Sequence, residues 1–114
     1  MKLIIAIIQP HQLNSVKTAL SQVEVFRLTI MDCQGFGRQH GETKYGSDEL
    51  TGNLRRKIQI QIAVNEEFVE PTVQAILEGG RSGIDGELGD GKIFVLPLDD
   101  CIRIRTGERG PDAV

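Results

Sequence analysis

The stretch Leu3-Ile4-Ile5-Ala6-Ile7-Ile8 is apolar at six consecutive positions. Neighbouring side chains of a strand point to opposite faces, so such a run has no polar side to turn toward water. As a strand it must lie centrally in a sheet with both faces covered. A chain of 114 residues is large enough for one domain with a core of its own. The problem set by the run is therefore what covers its second face.

The remaining periodicities supply the other elements. From Gln12 to Gln22 the apolar residues Leu13, Val16, Leu20 and Val23 recur three or four apart, with Pro10 and Asn14 as start signals, which predicts an amphipathic helix. Val25 to Gln34 returns to strand chemistry, with Phe26, Leu28 and Ile30 on one face and Arg27, Thr29, Met31 and Cys33 on the other. Lys57 to Val64 alternates, placing Ile58, Ile60, Ile62 and Val64 on one face and Lys57, Gln59, Gln61 and Ala63 on the other. Val69, Val73, Ile76 and Leu77 predict a second helix. Asn65 is a plausible cap for it, Pro71 fits only near its first turn, and Gly79-Gly80 reads as its stop. Ile93 to Leu96 is a short buried strand closed by Pro97.

The order is strand, helix, strand, strand, helix, strand. Two right-handed β-α-β units then give an α+β, ferredoxin-like βαββαβ domain over residues 1–114: a four-stranded antiparallel sheet with two helices on one face. Two helices cover one face only, and the simplest cover for the other is the sheet of a second copy, which predicts a homo-oligomer.

Composition narrows the function. A net charge of −3 opposes a general nucleic-acid binder, so any anion site is local. No stretch is long and apolar enough to span a membrane or serve as a signal peptide, which points to the cytoplasm. Cys33 and Cys101 are too isolated for a zinc knuckle, and His11 and His40 read as surface histidines. No nucleophile with a base and an orienting partner stands out, so an enzyme is not expected.

Two glycine-rich stretches and one arginine pair carry the chemistry. Residues 35–56 lose all periodicity, with glycines at 35, 37, 41, 46 and 52, and a loop of this length in a small domain is usually functional. Arg38 and Lys57 stand at its two ends and could meet across its base. Gly86 to Lys92 matches the G-x-x-x-x-G-K half of a P-loop, but Ile93 follows where Ser or Thr would meet Mg²⁺, and the segment leads into a strand. It still reads as a backbone-plus-lysine anion clamp or, taken alone, as a tight surface turn. Beyond it, Arg103 and Arg105 alternate with Ile102, Ile104 and Thr106, so both guanidinium groups leave one side of an extended segment. An anion between them, or an edge guarded by charge, accounts for that pair.

Gly35-Phe36-Gly37-Arg38-Gln39, Gly89-Asp90-Gly91-Lys92-Ile93-Phe94-Val95 and Ile102-Arg103-Ile104-Arg105-Thr106-Gly107-Glu108-Arg109-Gly110, with Ala6-Ile7-Ile8 and Pro10, resemble the PII family of nitrogen-signalling proteins, the GlnB/GlnK group. The resemblance runs over nearly the whole chain. It implies a non-enzymatic homotrimer that binds ATP or ADP in clefts between subunits, with 2-oxoglutarate beside Mg-ATP. The long loop, about 36–56, corresponds to the T-loop that grips a target protein, and about 79–92 and 98–114 to the B-loop and C-terminal loop. Carried over, nucleotide contacts fall on Thr29, Gly35, Gly37, Arg38, Gln39, Ala63, Gly89, Asp90, Gly91, Lys92, Arg103 and Arg105. Gln39 would ligate Mg²⁺ and, with Lys57, meet 2-oxoglutarate.

Three features depart from the family's pattern. The T-loop lacks a tyrosine near its tip, Tyr45 standing elsewhere; Gln9 replaces a common basic residue; and five residues, Ile84 to Leu88, separate Ser82-Gly83 from Gly89 where the pattern has two. That extension carries Asp85 and Glu87 toward the phosphate site, which leaves a PII-like module with a different nucleotide, anion or metal effector as the alternative, and a slow phosphohydrolase as a more distant one.

Overall fold

The computed structural model describes residues 1–36 and 54–114. Strand β1 (Lys2–Ile8) leads through a short 3-10 turn at Pro10–Gln12 into helix α1 (Leu13–Gln22). Strand β2 (Thr29–Phe36) and strand β3 (Leu54–Val64) follow, then a 3-10 turn at Glu66–Phe68, helix α2 (Val69–Gly80) and strand β4 (Gly91–Pro97). The four strands form one antiparallel sheet in the order β2-β3-β1-β4. The ferredoxin-like arrangement is the one observed, and β1 is a central strand.

Register explains the core. Ile4 lies opposite Ile62 and Val95, Ala6 opposite Ile60 and Ile93, and Ile8 opposite Ile58 and Gly91. All share the helix-covered face, where the side chains other than the half-exposed Val95 pack against Val16, Ala19 and Leu20 of α1 and Ala75 and Ile76 of α2. Full burial of one such aliphatic side chain contributes about 1.5–3 kcal/mol. The same register puts Leu3, Ile5, Ile7, Met31, Phe94 and Leu96 on the opposite face. Among the described residues no helix covers that face, and Phe94, Leu96 and Met31 keep 48%, 39% and 37% of their surface exposed.

Several boundaries differ from the sequence reading, each for a local reason. Strand β2 begins at Thr29 rather than Val25, because the chain must first leave α1. Val25 N–H donates to the Leu20 carbonyl and Glu24 N–H to that of Ser21, with Glu24 at φ 64. This is a Schellman turn closed by a non-glycine residue. Strand β3 starts three residues before Lys57, at Leu54, and β4 takes in Gly91 and Lys92, because pairing extends both strands. Asn65 holds the N-cap position of the 3-10 turn that precedes α2, its carbonyl accepting from Phe68 N–H, but its side chain makes no cap bond and instead donates its amide to the Pro111 carbonyl. Pro71 sits in the first turn of α2, as its missing N–H requires.

Gly79 and Gly80 do not stop α2; they are its last two residues. A Cβ on Gly79 would lie 2.7 Å from Val16 Cα and 2.8 Å from the Ser15 carbonyl oxygen. Gly79 thus serves the close approach of α2 to α1, whereas a Cβ on Gly80 would make only ordinary contacts, 3.6 Å from Val16 Cγ2 and 3.7 Å from Ile8 Cγ2.

Candidate functional site

The site is built where β1 ends, β3 begins and β4 begins. Gly91 opposes Ile8 at the start of β4 with φ 116, and a Cβ there would come within 1.7 Å of the Ile7 carbonyl oxygen. Only glycine permits that approach, and it fixes the level at which Lys92 emerges. Lys92 opposes Ile7 and therefore projects on the open face. On the far side of β1, Lys57 shares that face and opposes Cys33, two positions from Gly35.

The alternation of β3 puts Lys57 on the face of Gln59, Gln61 and Ala63, and the register keeps it there. Lys57 is only 7% exposed, and its Nζ donates to the Gly89 carbonyl oxygen at 3.0 Å. Gly35 gives its stem room, since a Cβ there would stand 3.2 Å from Lys57 Cγ. A cation is thus held beneath the glycine-rich loop by the backbone of that loop.

The loop itself is folded around Asp90. Its carboxylate accepts from Ser82 N–H at 2.9 Å, Ser82 Oγ at 2.6 Å and Glu87 N–H at 2.9 Å. Burial raises the pKa of this carboxyl, but the hydrogen bonds from Ser82 and Glu87 together outweigh it and hold Asp90 below its ordinary 3.8. Gly86, at φ 79, lets the extension turn back, leaving Ile84 93% exposed. The result is a pinned loop rather than a loose insertion.

Between these parts lies a cleft of 490 Å³. It gathers Gly35, Lys57, Gly89, Asp90, Gly91 and Lys92 from the sequence reading and adds Glu87 and an apolar wall of Ile7, Phe36, Leu88 and Phe94. Those apolar residues, and Ser82 as the anchor of Asp90, were missed. No spacing marks Ser82, though a hydroxyl and a carboxylate at the two ends of one glycine-rich loop are natural partners.

Four expected residues lie elsewhere. Thr29 opposes Gln61, and Ala63 is six positions beyond Lys57 on β3, about 20 Å away at a strand rise of 3.2–3.4 Å. The C-terminal segment folds at this same end, through Leu98 N–H to the Met1 carbonyl and Asn65 to Pro111. Arg103 and Arg105 are carried there too, but not on an extended segment. Residues 104–106 form a turn closed by Gly107 N–H to the Arg103 carbonyl at 2.7 Å, and Ile102 bridges Arg109. The Arg103 guanidinium reaches the Glu108 carboxylate at 3.0 Å and the Asp112 carbonyl at 3.2 Å, while Arg105 is exposed. Glycine at 107, with φ 74, makes the reversal that the alternation alone would not predict. Gly37, Arg38, Gln39 and the proposed meeting of Arg38 with Lys57 lie outside the described residues, as do His40 and Tyr45.

A family model described as nitrogen regulatory protein P-II matches residues 1–108. The chain belongs to the P-II family. Across 115 aligned positions it is 51% identical to nitrogen regulatory protein GlnK1 of Methanosarcina mazei, covering all of this chain and 97% of that protein. It is 41% identical to nitrogen regulatory protein P-II of Azospirillum brasilense, with both chains fully covered. A crystal structure of Arabidopsis thaliana PII bound to citrate superposes with a TM-score of 0.77 at 34% identity, over 99% of this chain and 91% of that one. As a P-II protein it serves signal transduction in nitrogen regulation and is a regulator rather than an enzyme. Among the described residues no helix is long and apolar enough to cross a membrane.

Proposed function

We propose that the chain closes head to tail into a homotrimer with three inter-subunit clefts. These bind ATP or ADP, and 2-oxoglutarate joins when Mg-ATP is present. The T-loop transmits occupancy to a target protein in the cytoplasm. The observation that carries this reading is the separation of the two halves of the expected nucleotide site. Gly35, Lys57 and Gly89 to Lys92 lie at one end of the sheet, while Thr29, Ala63, Arg103 and Arg105 lie at the other. One chain cannot bring them onto a single ligand. A heterologous contact, in which one end of a chain meets the opposite end of the next, joins them at every interface and closes into a ring.

The apolar open face supports the same assembly, since ring closure can cover Leu3, Ile5, Phe94 and Leu96 with the sheets of the other copies. The chemistry of the cleft fits a phosphate ligand: Lys57 and Lys92 supply cations, and Gly89 and Gly91 keep the backbone free of side chains. Mg²⁺ would be held by Gln39 together with the phosphates, neutralising part of their charge. The Arabidopsis relative binds citrate, a polycarboxylate as 2-oxoglutarate is a dicarboxylate, which favours a carboxylate effector here as well.

Calorimetric titration with ATP, ADP and AMP, each with and without Mg²⁺ and 2-oxoglutarate, tests the proposal. Saturable binding of ATP and ADP, and 2-oxoglutarate binding that requires Mg-ATP, are expected. No nucleotide binding by the intact protein would overturn it.

A further inference from the structure

The residues lining the cleft do not form a cationic pocket. Among the described ones, the two lysines, Lys57 and Lys92, are matched by two carboxylates, Glu87 and Asp90. Formal charge therefore cancels at neutral pH where the nucleotide reading places a polyphosphate. The two carboxylates are not equivalent. Asp90 is occupied within the loop by Ser82 and by the Glu87 N–H. Glu87 is exposed, and its carboxylate makes no hydrogen bond or ion pair among the described residues.

Its place beside the lysines is built. Its N–H donates to Asp90 Oδ2 at 2.9 Å and its carbonyl accepts from Asp90 N–H at 3.2 Å. Gly86, just before it, takes φ 79, which favours glycine, and a Cβ there would press on neighbouring side chains at 3.1 Å from Arg81 Cγ and 3.2 Å from Asp90 Oδ2. The backbone of Glu87 is thereby fixed at the cleft. Asp85, on the same extension, is exposed and does not line the cleft.

From this arrangement we infer that Glu87 is a specificity-determining residue which selects a cation-complexed nucleoside polyphosphate over the free polyanion. Its carboxylate repels phosphate oxygens that carry their full charge. A divalent cation on those phosphates removes most of the repulsion and can attract the carboxylate directly or through water. The inference rests on the nucleotide reading above and concerns how that site is tuned.

The test is the ratio of ATP affinity in excess Mg²⁺ to that in excess EDTA, at matched ionic strength, for the full-length wild type, Glu87→Gln and Asp85→Asn. Glu87→Gln should raise affinity for metal-free ATP by roughly three- to tenfold, the scale of a partly screened charge contact, and leave Mg-ATP much less changed. Asp85→Asn should leave the ratio within about twofold of wild type. An unchanged ratio in Glu87→Gln, or an equal shift in Asp85→Asn, overturns the selective role of Glu87 while nucleotide binding stands. Failure of all three proteins to bind ATP under either condition overturns the nucleotide reading, and the inference with it.

Discussion

Lys57 and Gly89, 32 residues apart, are joined by a 3.0 Å hydrogen bond from the lysine ammonium to the glycine carbonyl. The bond ties the start of β3 to the glycine-rich loop and holds a largely buried cation under the proposed phosphate site. A charged donor with a backbone acceptor contributes about 1.5–3 kcal/mol, more than an exposed ion pair.

Replacing Lys57 by Met keeps the stem and removes the ammonium. Amide hydrogen exchange across residues 82–91 should accelerate even without any ligand, and ATP affinity should fall by about tenfold or more. Exchange at wild-type rates would show that the bond does not restrain the loop.

Asp90 gives the loop a pH dependence of defined sign. Its pKa is depressed in the folded protein, so its stabilising contribution is present above the ordinary value of 3.8 and is lost as pH falls through the lower folded value. Asp90→Ala should cost about 1.5–3 kcal/mol at pH 7, by loss of a charged acceptor, and the difference from wild type should shrink in acid below 3.8. Chemical denaturation at a series of pH values measures both.

Gly79→Ala is expected to destabilise although alanine is the better helix former. The added methyl meets backbone of α1, at Val16 Cα and the Ser15 carbonyl, which cannot rotate away. Overpacking should outweigh the gain of about 1 kcal/mol in propensity and leave a net loss of about 1–2 kcal/mol. A lowered thermal midpoint with unchanged assembly would agree.

Glu24→Gly should act in the opposite direction. Glu24 holds the left-handed position of the Schellman turn after α1, where glycine has no Cβ penalty. The substitution should raise stability by about 0.5–1 kcal/mol, less the added freedom of the unfolded chain. Urea denaturation would detect it as a higher midpoint at constant slope.

What the sequence makes legible is what repeats. The alternation from Ile58 to Val64 and the three-four spacing from Leu13 to Leu20 each specify a face, and topology follows from their order. The apolar run Leu3 to Ile8 announces the open sheet face that the helices leave uncovered. Contacts made once are not legible in this way. Gly79 looks like a helix stop because a close approach to Val16 leaves no local pattern. The turn at residues 104–106 is hidden because Arg103, Arg105 and their apolar neighbours alternate as a strand would, while the reversal depends on Gly107 and on Glu108 reaching back to Arg103. In the cleft, the glycines and lysines are readable from chemistry, whereas Leu88 and Phe36 meet there only because the glycine-rich loop folds back to the end of β2.

In the proposed assembly the ligand lies between chains. Lys92→Glu spoils the half of the cleft near β4, and Arg105→Glu the half on the C-terminal loop, so each variant alone should bind ATP weakly. Mixing the two under conditions that allow subunit exchange should restore wild-type affinity in about a quarter of the clefts by random pairing, because each such cleft takes its intact half from each variant. Mixed assemblies that bind no more ATP than either parent would contradict a cleft shared between neighbouring chains.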